Sequence, residues 1–175
     1  EDSGGREQPA RPPSPPPDQT ARRQPPLWVR LEDAAAMSEL AGVLHAHNKT
    51  VRLMAQSEAT LPDMKSGSVI LIGAFTNQLT LRLSNQARYT FTSEPETNTP
   101  WLQDRQDPNN KQWKLVRISD QELTDYAIVS RVLDPGTGRP TIIAAGITGG
   151  GTTAAGRFIS DPQAMQQISR LAPRR

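Results

Sequence analysis

The chain contains no cysteine, which removes disulfides, thiolate nucleophiles and Cys-type zinc sites together and leaves the redox compartment open. Histidine is scarce as well. The two present, His45 and His47, stand two residues apart on a predicted helix and so face different sides, which argues against a shared metal. Aromatic residues are 5% of the 175, so aliphatic side chains must supply the core. No apolar run approaches the roughly 20 residues that span a bilayer, and the start lacks the hydrophobic stretch of a signal peptide. Formal charge is only +2, and Lys and Arg adjoin only at Arg22-Arg23 and Arg174-Arg175. Without a basic stripe interleaved with aromatics, nucleic acid is not an expected partner. Gly-Lys-Ser/Thr and Gly-x-Ser-x-Gly are both missing, which excludes a P-loop and a serine-hydrolase elbow.

What is present is unevenly spread. Eight of the sixteen prolines fall in residues 1–26, where no large apolar residue occurs. That segment cannot bury a core and is expected to be a disordered, extended, partly polyproline tether. Residues 27–175 are expected to form a single α/β domain, long enough for its own core.

Two stretches organise that domain: residues 68–77, SVILIGAFTN, and residues 141–153, TIIAAGITGGGTT. Each is a β-branched apolar run that ends at glycine and turns polar, the pattern of a buried strand delivering its C-terminal end into a loop and a helix start. Ligands of open α/β sheets sit at such ends. Glycine amides beside a helix N-terminus suit a phosphate, sulfate or carboxylate. The expected donors are Gly73, Thr76 and Asn77 from the first loop and Gly149, Gly150, Gly151 and Thr152 from the second. The same glycines admit another reading, a tight turn that lets helix and strand pack closely. A dinucleotide turn fits poorly: the strand is the second arm of a hairpin, and no acidic residue stands about twenty positions on.

Around these runs, residues 31–48 predict an amphipathic helix with Asp33 as N-cap, Met37, Leu40, Ala41 and Leu44 inward, and Asn48 ending it in the left-handed conformation. A short strand over 50–55 and a one-turn helix near 61–65 follow. Residues 77–88 are ambiguous, since Leu79, Leu81 and Leu83 alternate as in a strand while Asn77 is placed to cap a helix; helix is preferred. Residues 89–92 read as a strand, 93–110 as a long polar loop, and 113–118 as an exposed strand. Asp134-Pro135-Gly136-Thr137-Gly138 signals a hairpin between strands over 125–133 and 139–145. Thr152 or Thr153 is expected to cap a small-residue helix. Asp161-Pro162 opens the last one, with Met165, Ile168 and Leu171 inward. The fold class is therefore α/β and three-layered, with a mixed, mostly parallel sheet and a late antiparallel hairpin.

Carboxylates are the only plentiful catalytic groups. Glu94, Glu96, Asp104 and Asp107 lie in the polar loop, where paired carboxylates can do acid–base work if one is desolvated. In a loop rich in Pro, Asn and Gln, solvated or turn-capping roles compete with that. Arg105 in the same loop, with Arg82, Arg88 and Arg131 elsewhere, is able to clamp a carboxylate or phosphate bidentately. Trp101 and Trp113 offer a stacking wall or loop anchors.

From residue 68 to 165 the chain resembles an uncharacterised bacterial domain found downstream of membrane-spanning or winged-helix segments. The carrying residues are the 69–77 run, Leu79-Thr80-Leu81-Arg82-Leu83, Asp104-Arg105-Gln106-Asp107-Pro108, residues 125–131, Ala144-Ala145-Gly146-Ile147 and Gly151-Thr152-Thr153-Ala154-Ala155-Gly156. The resemblance implies no activity, cofactor or metal. It implies a domain whose membrane contact would come through an upstream segment, and a chain that starts after a first strand and stops before a final edge strand. The expected function is a non-catalytic small-anion-binding or sensory module of a bacterial regulatory or membrane-anchored protein, cytoplasmic or extracytoplasmic, with a small anionic ligand as partner. The alternatives are an enzyme acting on a phosphorylated or glycosidic small molecule, with Asp104, Asp107 and Arg105 closing over the glycine edge, and a structural interaction domain.

Overall fold

The computed structural model describes residues 28–119 and 123–171, and the expected tether lies outside them. Helix α1 spans Leu31–Ala46, with Arg30 rather than Asp33 at its N-cap. The helix begins at residue 31 as expected, but its cap lies three residues before Asp33, whose carboxylate turns to a neighbouring loop instead of its own first turn. Asn48 ends it at φ 57°, as expected. Residues 50–55 form no strand. Arg52 instead pairs with Asp63 at 2.8 Å, and Leu53 stays exposed, so this segment follows the next helix and not the sheet. That helix, α2 (Leu61–Ser66), opens with a capping box in which the Thr60 side chain accepts from the Asp63 amide and the Asp63 carboxylate accepts from the Thr60 amide.

Strand β1 is Val69–Ile72 and helix α3 is Gln78–Ser84. Asn77 resolves the ambiguity in favour of helix: its Oδ1 accepts from the amides of Leu79 and Thr80. Strands β2 (Tyr89–Ser93) and β3 (Pro100–Asp104) pair antiparallel, so the expected polar loop contains a strand. The apolar pair Trp101-Leu102 drives this, each 5% exposed. The exposed strand expected at 113–118 shrinks to β4 (Val116–Arg117), which pairs with β5 (Leu123–Thr124). Strands β6 (Ala127–Asp134) and β7 (Arg139–Gly146) form the predicted hairpin. Asp134 closes its turn by accepting from the Gly136 amide and the Thr137 hydroxyl.

The chain is thus a mixed α/β fold whose main sheet has the order β1-β7-β6. Among the described residues, parallel pairing is confined to β1–β7, while β6–β7, β2–β3 and β4–β5 are antiparallel. The expectation of a mostly parallel sheet is therefore corrected: the connection from β6 to β7 is a tight turn, which permits only antiparallel neighbours. One face of the sheet carries Leu71, Ile128, Ile143 and Ala145 into a cluster with Leu83 of α3, Phe91 of β2 and Leu102 of β3.

Helix α4 is Gly149–Ser160 and α5 is Pro162–Leu171. Thr148, not Thr152 or Thr153, caps α4, so all three glycines lie inside the helix. Glycines here serve close approach. A Cβ on Gly156 would stand 2.8 Å from the Ala36 Cβ of α1, and one on Gly151 would stand 2.9 Å from the Cα of Gly146. Asp161 accepts from the Gln163 amide as α5 begins. The expected inner face of α5 is not inside: Met165, Ile168 and Leu171 are exposed, because α4 and α1 already pack together over the ground this helix would need.

Candidate functional site

Both glycine loops emerge from one edge of the sheet. β1 and β7 are parallel neighbours with Ile72 opposite Ala144, and the Gly73 amide extends the ladder by donating to the Ala144 carbonyl at 3.2 Å. The first turn of α1 reaches both loops. Glu32 lies against Gly149, and Asp33 lies against Gly73. The Thr76 hydroxyl donates to Asp33 at 3.4 Å, and the Thr153 hydroxyl to the Glu32 carbonyl at 3.3 Å.

The polar groups of this edge are largely spent on the fold. Gly73 holds φ 82° with no room for a side chain, since a Cβ there would meet the Thr76 hydroxyl at 2.6 Å. Asn77 caps α3 and also donates through Nδ2 to the Ile72 carbonyl at 3.2 Å, locking the end of β1 to the start of the helix. Thr152 is 2% exposed; its hydroxyl accepts from the Gly146 amide and donates to the Thr148 carbonyl. Gly149 is buried, and exposed Gly150 donates its amide to the Thr148 hydroxyl at 3.2 Å.

The place expected for an external anion holds a carboxylate of the chain itself. Asp125 accepts from the Gly151 amide at 2.6 Å, the Thr148 hydroxyl at 2.5 Å and the Thr148 amide at 3.2 Å. Its other oxygen accepts from the Tyr126 amide at 2.7 Å. A carboxylate on the first-turn amides of a helix gains from both hydrogen bonding and the helix dipole. Asp125 was not among the residues expected at this edge. The signal that finds it is hairpin arithmetic: the register that sets Asp134 opposite Arg139, run back past Ala127 and Gly146, sets Asp125 opposite Thr148.

The remaining carboxylates divide in the same way. Burial pushes the Asp33 carboxyl up, against the opposing pull of Arg30 and the Thr76 hydrogen bond. Asp104 receives a bidentate contact from Arg88, with Nη2 at 2.6 Å and Nε at 2.9 Å, and these bonds hold its carboxyl below the usual range. Glu94 bridges Lys111 at 2.6 Å and Lys114 at 3.2 Å and is likewise lowered. Arg105 does not reach the glycine edge: its guanidinium donates to the Asn85 carbonyl, past the far end of α3. Trp101 is buried under Lys111, and Trp113 stands edge-on to Tyr89 at 5.2 Å. Both anchor the β2–β3 region. No cluster of three or more metal-ligating side chains occurs among the described residues, and none of their helices is long and apolar enough to cross a membrane. No protein-family model, curated protein or solved structure matches the chain.

Proposed function

We propose that the chain is a non-catalytic binding module, the sensory or interaction part of a larger regulatory or membrane-anchored protein of the bacterial kind its sequence resembles, and that its glycine edge is a self-liganded clasp. The observation that carries this reading is the Asp125 carboxylate seated on the Gly151 amide and on Thr148. With that carboxylate in place, a free phosphate or sulfate meets a filled site and a like charge. The anionic ligand expected of the chain then has to bind elsewhere in the fold.

The same reading takes the domain as three layers. On one side of the sheet, the contact of Gly156 with Ala36 and that of Gly151 with Gly146 support α4 packed between α1 and β7. On the other, the cluster of Leu71, Ile143, Leu83 and Phe91 supports α3 and β2 as the opposite layer. The reading of the loop carboxylates as an enzyme's acid and base draws no such support. A general acid needs a raised pKa, whereas Asp104 and Glu94 are held ionised by their basic partners.

Thermal unfolding of the wild-type protein tests the clasp. Millimolar phosphate or sulfate, compared with chloride at equal ionic strength, is expected to leave the melting temperature unchanged. A ligand that binds only the native state must raise it. An anion-specific rise would overturn the clasp and restore an external anion site at the glycine edge.

A further inference from the structure

At the opposite end of the sheet from the glycine loops, a cleft of about 390 Å³ opens between the 56–64 segment, the outer face of α3 and the β6–β7 turn. That volume falls within the roughly 300–1,000 Å³ of small-ligand sites. One wall is Ala59, Leu61 and Met64, and the facing wall is Leu79 and Arg82. Leu79 and Arg82 stand three apart on α3 and therefore share a face. A narrower recess shares Met64 and Leu79 with the cleft and reaches Val69, Leu71 and Leu83, with Asp134 and Thr141 also on its wall, so its lining is mostly apolar.

The walls are fixed before any ligand arrives. Gln56 Oε1 accepts from the Gln78 amide at 2.7 Å, tying the first wall to the start of α3. The capping box of Thr60 and Asp63 holds α2 in place, and Arg52 clamps it from outside. Asp134, which also borders the cleft, is 3% exposed and directs its two oxygens to the Gly136 amide and the Thr137 hydroxyl. It forms no ion pair with Arg82. Arg82 is exposed and its guanidinium makes no hydrogen bond or ion pair among the described residues, as is also true of Arg117, Arg131, Arg139 and Arg170, but of these Arg82 is the one that lines the cleft. An unpaired guanidinium beside an apolar recess has the complementarity for one ligand chemistry, an anionic head on a short apolar body.

We propose that this cleft binds a small organic carboxylate with an apolar tail, the carboxylate on Arg82 and the tail between Leu61, Met64 and Leu79. The proposal rests on the binding-module reading, since it supplies the anionic ligand which the filled glycine edge does not take. The shared chemistry has two sources, a free aliphatic acid or the carboxyl end of a peptide with an apolar last residue.

Titration calorimetry on the purified chain separates them, with octanoate as one probe and an acetylated pentapeptide ending in leucine as the other. Octanamide and the leucine-amide peptide serve as uncharged controls. At least one carboxylate probe is expected to bind, and its amide about tenfold or more weaker, the equivalent of one charge-assisted hydrogen bond. Arg82→Gln is expected to reduce carboxylate affinity by a similar factor, with the melting temperature of the unliganded protein unchanged because no partner is lost. Leu79→Asp, which puts a carboxylate in the cleft wall, is expected to abolish binding; Leu61→Asp, at a half-exposed position, gives the same test if Leu79→Asp unfolds the domain. Tighter binding of the peptide assigns the site to a chain terminus, and tighter binding of octanoate to a free acid. Equal affinity of acid and amide, equal affinity of wild type and Arg82→Gln, or no binding of either probe at millimolar concentration overturns the proposal. None of these outcomes bears on the clasp, which fails only if phosphate or sulfate stabilises the wild type.

Discussion

Replacing Asp125 by alanine tests the clasp from inside. The substitution leaves three donors of the α4 N-terminus, the Thr148 amide, the Thr148 hydroxyl and the Gly151 amide, without their acceptor. Hydrogen bonds to a charged group contribute about 1.5–3 kcal/mol each when fully buried. Asp125 is only half-buried, so water recovers part of each bond, and the helix-cap scale of about 1 kcal/mol per bond applies. Adding about 0.5 kcal/mol for the lost charge at the helix N-terminus gives a total of about 3.5 kcal/mol. For a domain of this size that corresponds to a fall in melting temperature of roughly 10 °C. Asp125→Asn keeps one acceptor oxygen and loses the charge, so about half of the loss is expected. The diagnostic result is rescue: formate or acetate restores part of the stability of the alanine variant and none to the wild type, because only the variant has vacant amides to bind it. A loss below about 1 kcal/mol, the ordinary cost of a surface change, together with no carboxylate rescue, refutes the clasp.

Adjacent glycines in α4 are expected to respond with opposite sign. At Gly150 an added Cβ finds nothing nearer than 3.6 Å, and Gly150→Ala should stabilise by about 0.5–1 kcal/mol through helix propensity. Gly151→Ala would place its Cβ 2.8 Å from the Asp125 carboxylate and 2.9 Å from the Tyr126 carbonyl and the Gly146 Cα, and should cost about 1–3 kcal/mol through backbone displacement. Chemical denaturation of the two variants measures both. Asp104 should govern part of the acid limb of stability. Arg88 holds its folded pKa below the usual value, so its contribution is present above the unfolded pKa near 3.9 and is lost as pH falls through the lower folded value. Melting temperatures of wild type and Asp104→Asn should therefore differ at neutral pH and converge below about pH 4; a constant difference down to pH 3 would show that the ion pair is not the cause.

Much of the fold was legible because its signals are local. Asn77 capping α3, the left-handed Asn48, the short helix near 61–65 and the Asp134–Gly138 turn each depend on residues a few positions apart, and each appears in the structure. What failed depended on distant partners. Residues 50–55 alternate like a strand, but whether they join a sheet depends on what lies beside them, and Arg52 goes to Asp63. Pro100–Asp104 read as loop because Pro, Asn and Asp surround it, whereas its strand character comes from burying Trp101 and Leu102 opposite Thr92 and Phe91. Helix α5 has a regular apolar stripe, yet periodicity says only that a face exists and not that the sheet still has room for it.

The glycine edge shows the sharper form of this limit. A strand ending in Gly-x-x-Gly-Gly-Gly before a helix is equally a cradle for an anion and a place where backbone must touch backbone, because both uses need the Cβ removed. Composition cannot separate them; the occupant of the amides can. In this chain the two uses are combined. Gly146 and Gly151 approach too closely for any side chain, and the amide which that approach leaves pointing outward is taken by Asp125, carried there by the first residues of the hairpin arm that pairs with β7. A chain that supplies its own anion gains a rigid junction between strand and helix at conditions where no free ligand is needed. The charge that would have drawn a ligand to this edge is neutralised within the fold. Arg82, in the last turn of α3, is one of several arginines without an ion pair among the described residues, and it is the one that borders the cleft at the β6–β7 turn.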